Sequence, residues 1–236
     1  MSSPRPDQPS HDLTETLLVL AGLPDDAPAL PEQLRAIVRL AAEVVGPVDF
    51  ASVTVLAADG NRTDAASDEA ANALDLAQYA DDAGPCLVAL HTGETVGVPD
   101  IAGAVVWPGF RDVAWRYGVR ASLSIPLFAG SGNPVGALNL YSRDAAGMRL
   151  LIQRVESCYH PGRTQVRPRL DVGSEQLLAG LAGALHTRDL IQRALGLLMD
   201  RDQVPAGSAY RQLVEATEPG QSLTGTASVL LHQDPR

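Results

Sequence analysis

Lysine is missing altogether: the eighteen cationic side chains of this 236-residue chain are all arginine, set against 28 acids for a formal net charge of -10. An acid excess of that size excludes nonspecific attraction to nucleic acid or to anionic membrane through net charge. Cysteine is almost as scarce. Cys86 and Cys158 are too few and too far apart for a disulfide framework or a thiolate zinc site, so reduced thiols and no metal are expected. No run of about eighteen apolar residues exists that could span a bilayer, and the opening MSSPRPDQPS has neither the cationic nor the apolar part of a signal peptide. A cytoplasmic location, away from membranes, is the expectation.

What is present is the composition of an ordinary folded protein, 45% hydrophobic and 19% charged, with length enough for one large domain or two small ones. Residues 1–11, rich in Pro and Ser, have too little apolar surface to fold and are expected to be disordered. A short helix at Leu13–Leu20 and a longer one at Glu32–Val45 follow, the second with Leu34, Ile37, Val38, Ala41, Val44 and Val45 on one face. Asp49–Ala57 alternates as a strand, and Asp59-Gly60 turns the chain into a weaker return strand at Arg62–Ala66. Helices are then expected at Asp68–Gln78, Gly84–Gly93 and Trp107–Tyr117, with a strand at Glu94–Val98. Ala121–Phe128 and Val135–Tyr141 form a strand pair around the turn Gly130–Pro134. Five strands and several helices over residues 12–150 predict an α+β domain, an antiparallel sheet flanked by helices.

After Tyr141 every strand signal stops. Residues 143–170 hold six arginines and two acids, and the Pro and Gly of YHPGRTQVRPRLDVG predict a basic linker over 151–173. Ser174–Asp200 reads as one long helix, on which Leu177, Leu181, Ala184, Arg188, Ile191, Leu195 and Leu198 recur at spacings of four and three. Such a stripe is either a coiled-coil seam that joins two chains, interrupted by Arg188, or a face buried against its own domain. Helices at Ala206–Ala216 and Leu223–His232, broken by Pro219-Gly220, complete an all-α unit over 174–236.

Residues 32–143 resemble a GAF domain of the actinobacterial type through DFASVTVLAADG, QYADDAGPC, TGETVGVPDI, WPGF, VRASLSIPL and GALNLYSR, in that order. Residues 186–234 resemble an ANTAR domain through TRDLIQRALGLLMDR, PAGSAYRQLVEAT and SLTGTASVLL. The resemblance implies a GAF-like sensor domain, a long helix and a small three-helix output domain. It further implies a homodimer that binds RNA with adjacent hairpin loops and prevents transcription termination, answering an unknown small-molecule or protein signal at the GAF domain.

No His cluster, phosphate-cradling loop or carboxylate pair marks a ligand site between Ala65 and Ile101, so no cofactor is expected. Cys86 stands at a helix start, where a thiol either packs or, with its thiolate stabilised by the helix dipole, acts as a nucleophile or chromophore anchor. It has no evident catalytic partner, and no enzyme activity is expected. RNA contact is expected at Arg188, Arg193 and Arg211. Against it, Leu195 stands where the family usually has a cation, and Val214, Glu215, Gln221, Ser222 and Thr224 replace other basic positions. The alternative is a GAF-based dimerisation or protein-interaction module whose tail no longer binds RNA.

Overall fold

The computed structural model describes residues 12–58, 60–160, 169–218 and 220–233. The expectations for residues 1–11 and for the middle of the basic linker lie outside them. The elements run α1 (Leu13–Ala21), α2 (Leu30–Val44), β1 (Phe50–Ala57), β2 (Gly60–Ala66), α3 (Glu69–Ala80) and α4 (Pro85–Thr92). Next come β3 (Val96–Val98), a 3-10 turn at Ile101–Gly103, α5 (Pro108–Arg116), β4 (Ala121–Phe128) and β5 (Pro134–Ser142). The chain closes with α6 (Ala145–Tyr159), α7 (Val172–Asp202), α8 (Ala206–Glu215) and α9 (Leu223–Gln233). Four of the helices start on an aspartate, Asp12, Asp68, Asp144 and Asp171, whose carboxylate accepts a first-turn backbone N–H that would otherwise lack a partner.

The five strands form one antiparallel sheet in the order β2-β1-β5-β4-β3. Period-two alternation gives it two chemically different faces. Ala51, Val53, Val55, Leu123, Ile125, Leu138 and Leu140 form an apolar face that α1, α2, α6 and the first half of α7 cover, burying Leu17, Leu34, Ile37, Leu151, Leu177 and Leu181. The register places Ser52 opposite Asn139, Asn139 opposite Ser124, and Ser122 opposite Tyr141 on the other face, which α3 and α4 cover.

Helix α6 corrects the expected linker. It runs into the segment assigned to 151–173 as far as Tyr159, because Asp144 caps it and Met148, Leu151, Ile152 and Val155 lie on the apolar face of the sheet. The helix ends at Tyr159, with the His160 N–H bonded to the Glu156 carbonyl. A Pro-Gly pair is incompatible with a continuing helix but says nothing against the turns that precede it.

Helix α7 settles the choice left open for its apolar stripe. Leu177, Leu178 and Leu181 are buried with the sensor-side helices, and Ile191, Leu195 and Leu198 with Ala209, Leu213, Leu223 and Ala227 of α8 and α9. One continuous helix thus belongs to two cores, and the stripe is used up within the chain.

Candidate functional site

The polar face of the sheet carries a closed hydrogen-bond network. Asp75 of α3, fully buried, accepts from the hydroxyl of Tyr141 at 2.6 Å, from Thr63 at 2.8 Å and from the amide of Asn139 at 3.2 Å. Burial disfavours the ionised carboxylate and pushes its pKa up to about 6, although these hydrogen bonds pull the other way. Asn139 also donates to Ser52 at 3.3 Å and Thr54 at 3.0 Å, and the Tyr79 hydroxyl lies 2.9 Å from Thr54 and 3.0 Å from Thr63. Gln78 joins α3 to α4: its amide donates to the Tyr141 hydroxyl at 3.2 Å, and its oxygen accepts the Cys86 backbone N–H at 2.9 Å. Two buried oxygens of this face, Ser122 Oγ and Asn139 Oδ1, have no hydrogen-bond partner. The arrangement is a polar interior packed with its own side chains.

At the far end of the sheet, the β4–β5 turn and the α1–α2 loop grip the helical tail. The guanidinium of Arg188 lies 3.9 Å above the Phe128 ring, and its Nε donates to the Gly132 carbonyl at 3.1 Å. Gln192, one helical turn on, donates to the Ser131 carbonyl at 2.9 Å. From the loop, Asp25 accepts the Ser131 N–H at 2.9 Å and donates its own N–H to the Tyr210 hydroxyl at 2.9 Å. Leu223 of α9 closes on Gly130, where a Cβ would overlap its side chain and stand 3.0 Å from the Leu23 carbonyl. A larger residue there would require the Leu223 side chain to move.

The GAF domain family model matches residues 28–151, more than half of the chain. The chain belongs to the GAF domain family. The ANTAR domain model matches residues 179–218, from the middle of α7 through α8. A crystal structure of the GAF domain region of a protein from Geobacter sulfurreducens PCA is similar, with 17% identity and a TM-score of 0.40, over 66% of this chain and 92% of that one. No curated protein matches the chain. The architecture is therefore that of a regulator, a GAF domain joined to an ANTAR domain. Neither domain is a catalytic family.

Within the GAF domain, Cys86 is fully buried, and burial pushes its thiol well above the usual range. It packs at the start of α4, with its backbone N–H bonded to Gln78. Among the described residues no His, Cys, Asp and Glu are grouped to hold a metal, and no helix is long and apolar enough to cross a membrane.

In the ANTAR domain the three arginines expected at RNA are placed differently from one another. Arg188 is occupied by the GAF turn, Arg193 is exposed on α7, and Arg211 is exposed on α8 with its guanidinium 3.0 Å from Ser208. No hydrogen bond or ring contact joins the three. Leu195, noted as a lost cation, is a core residue of the three-helix cluster. Phe128, Asp25 and Gln192 are not recognisable as junction residues from the sequence, where the doubled glycine around Ser131 signals only a turn.

Proposed function

We propose that this protein is a signal-responsive RNA binder that controls transcription termination, its GAF domain sensing a signal and setting the access of the ANTAR helices to RNA hairpin loops. The grip on Arg188 carries the reading. A guanidinium stacked on Phe128 and bonded through Nε to Gly132 is held to the GAF turn and offers a phosphate or an unpaired base only its remaining N–H groups and one ring face, so sensor and output share one contact. Arg193 and Arg211 stay accessible and supply phosphate contacts in either state. We assign residues 12–150, extended through α6 to Tyr159, to the sensor, and 174–236 to the output unit. The homodimer that the ANTAR resemblance implies would form through a face other than the α7 stripe, which the chain's own helices cover.

Crosslinking followed by sequencing of bound transcripts in the native cell tests this function. Transcripts enriched for adjacent hairpin loops upstream of terminators support it. A folded protein that binds no RNA at low salt would move the assignment to a GAF-based interaction module. The thin set of cations favours that second reading, since Val214, Glu215 and Gln221 stand at family-basic positions.

A further inference from the structure

The structure assigns a ligand site to the GAF domain, outside the packed polar interior: a groove for a nucleoside phosphate on the outer side of α5. The groove has a volume of about 920 Å³, at the upper end of the range of small-molecule sites. Ile101 and Val119, both buried, form its floor. Arg111, Asp112, Trp115 and Arg116 line one wall from α5, as two pairs four residues apart on one helical face. Arg120 and the turn Asp100–Ala102 line the other.

Two observations point to the ligand's chemistry. The first is Trp115, 82% exposed although it is the largest kind of apolar side chain. An indole held beside the groove on a helix is a platform on which a planar base can stack, and such stacking tolerates any base. The second is the state of the charges. Asp112 is engaged by Arg111 at 3.3 Å, and Asp100 caps the 3-10 turn by accepting the Ala102 N–H at 3.1 Å. Arg116 spends only its Nε, on the Asp112 backbone carbonyl at 3.4 Å, and neither Arg116 nor Arg120 has a carboxylate partner among the described residues. Two open guanidinium groups beside an exposed indole, on a protein of net charge -10, are suited to a phosphate and a base carried by one molecule. The groove adjoins the start of β4, and the grip on the ANTAR domain adjoins its end, roughly 25 Å away along an eight-residue strand. The assignment is thus independent of RNA binding by the tail.

Trp107 and Trp115 are the only tryptophans, so the full chain with Trp107→Phe reports on Trp115 alone by fluorescence. Titrating adenosine and guanosine monophosphates should give saturable quenching at sub-millimolar concentration, matched by calorimetry on the native chain. The nucleosides and inorganic phosphate should each bind at least about tenfold more weakly, the scale of one lost charge-assisted hydrogen bond or stack. Arg116→Ala with Arg120→Ala, and separately Trp115→Ala read by calorimetry, should each weaken the mononucleotide by a similar factor while melting temperatures hold. All three residues are exposed. A short unstructured oligonucleotide forms the comparison arm: binding tighter than the mononucleotide, lost in the same variants, assigns the same chemistry to a nucleotide within a strand. No saturation by millimolar mononucleotide or oligonucleotide, or affinity unchanged in both variants, overturns the site.

Discussion

Asp75 is where a single proton matters most. Its carboxyl titrates at about 6 in the fold against 3.8 in a solvated chain, because burial penalises the charge. The unfolded chain therefore releases this proton first, and linkage requires the fold to lose stability as pH rises from about 4 to about 6, with no further loss above. The loss amounts to about 3 kcal/mol for a shift of this size. Asp75→Asn keeps an acceptor for Tyr141 and Asn139 and offers Thr63 a donor. Chemical denaturation from pH 4 to 7 should therefore show the variant gaining on the native protein across that window. A difference that is flat with pH would contradict the assignment. Cys86 makes a second test at the same scale: buried, with its thiol pushed up by desolvation, it should resist iodoacetamide in the folded protein. Half-buried Cys158 should be modified first by mass spectrometry, and labelling of Cys86 ahead of it would reopen the nucleophile question.

Helix α7 is the element on which both cores depend, and its glycines separate packing from propensity. A Cβ on Gly173 would run into the Val44 carbonyl at the end of α2, whereas one on Gly196 meets nothing within 4 Å. Gly173→Ala should therefore lower stability by about 1–3 kcal/mol through overpacking, while Gly196→Ala should raise it by roughly 0.5–1 kcal/mol through reduced chain entropy. Thermal melts decide, and equal effects of the same sign would refute the placement of α7. The helix also shows what a sequence can and cannot disclose. Its length and apolar stripe are periodic and local, so they were legible, as were the five strands and the helices between them. Whether the stripe faces another chain or α1, α8 and α9 is a question of which long-range partner wins, and periodicity is silent on that. The second half of helix α6 is hidden in the sequence because the Pro and Gly that follow it make the whole segment look like a linker. The Asp75 network was hidden for another reason: Thr63, Asp75, Tyr79, Asn139 and Tyr141 sit on β2, α3 and β5, and each alone looks like a surface residue.

On the scale of the whole molecule, the two domains are joined by groups that make a docking equilibrium testable. Asp25 is the useful lever, since it belongs to the GAF side, carries no positive charge and holds Ser131 and Tyr210 together. Asp25→Ala removes the carboxylate that accepts from the Tyr210 hydroxyl at 3.4 Å and steadies the Ser131 turn, and should loosen docking by about 1 kcal/mol, the net worth of an ordinary hydrogen bond. A shift of that size changes the docking equilibrium several-fold and can raise apparent RNA affinity by no more than the same factor. The effect on Arg188 is sharper. In the native protein Arg188→Ala should cost little RNA affinity, because the docked state ties the guanidinium to the GAF turn and limits its reach to phosphate. In the Asp25→Ala background it should cost more and reduce the slope of log affinity against log salt by about one, the signature of one phosphate contact. Arg193→Ala and Arg211→Ala should cost the same in both backgrounds, since neither touches the GAF turn. The four combinations of Asp25 and Arg188 form a double-mutant cycle whose coupling energy measures how far the GAF domain controls the RNA face. A coupling of zero in a protein that does bind RNA would mean that the grip on Arg188 is packing alone, and that the signal reaches the ANTAR helices by another route.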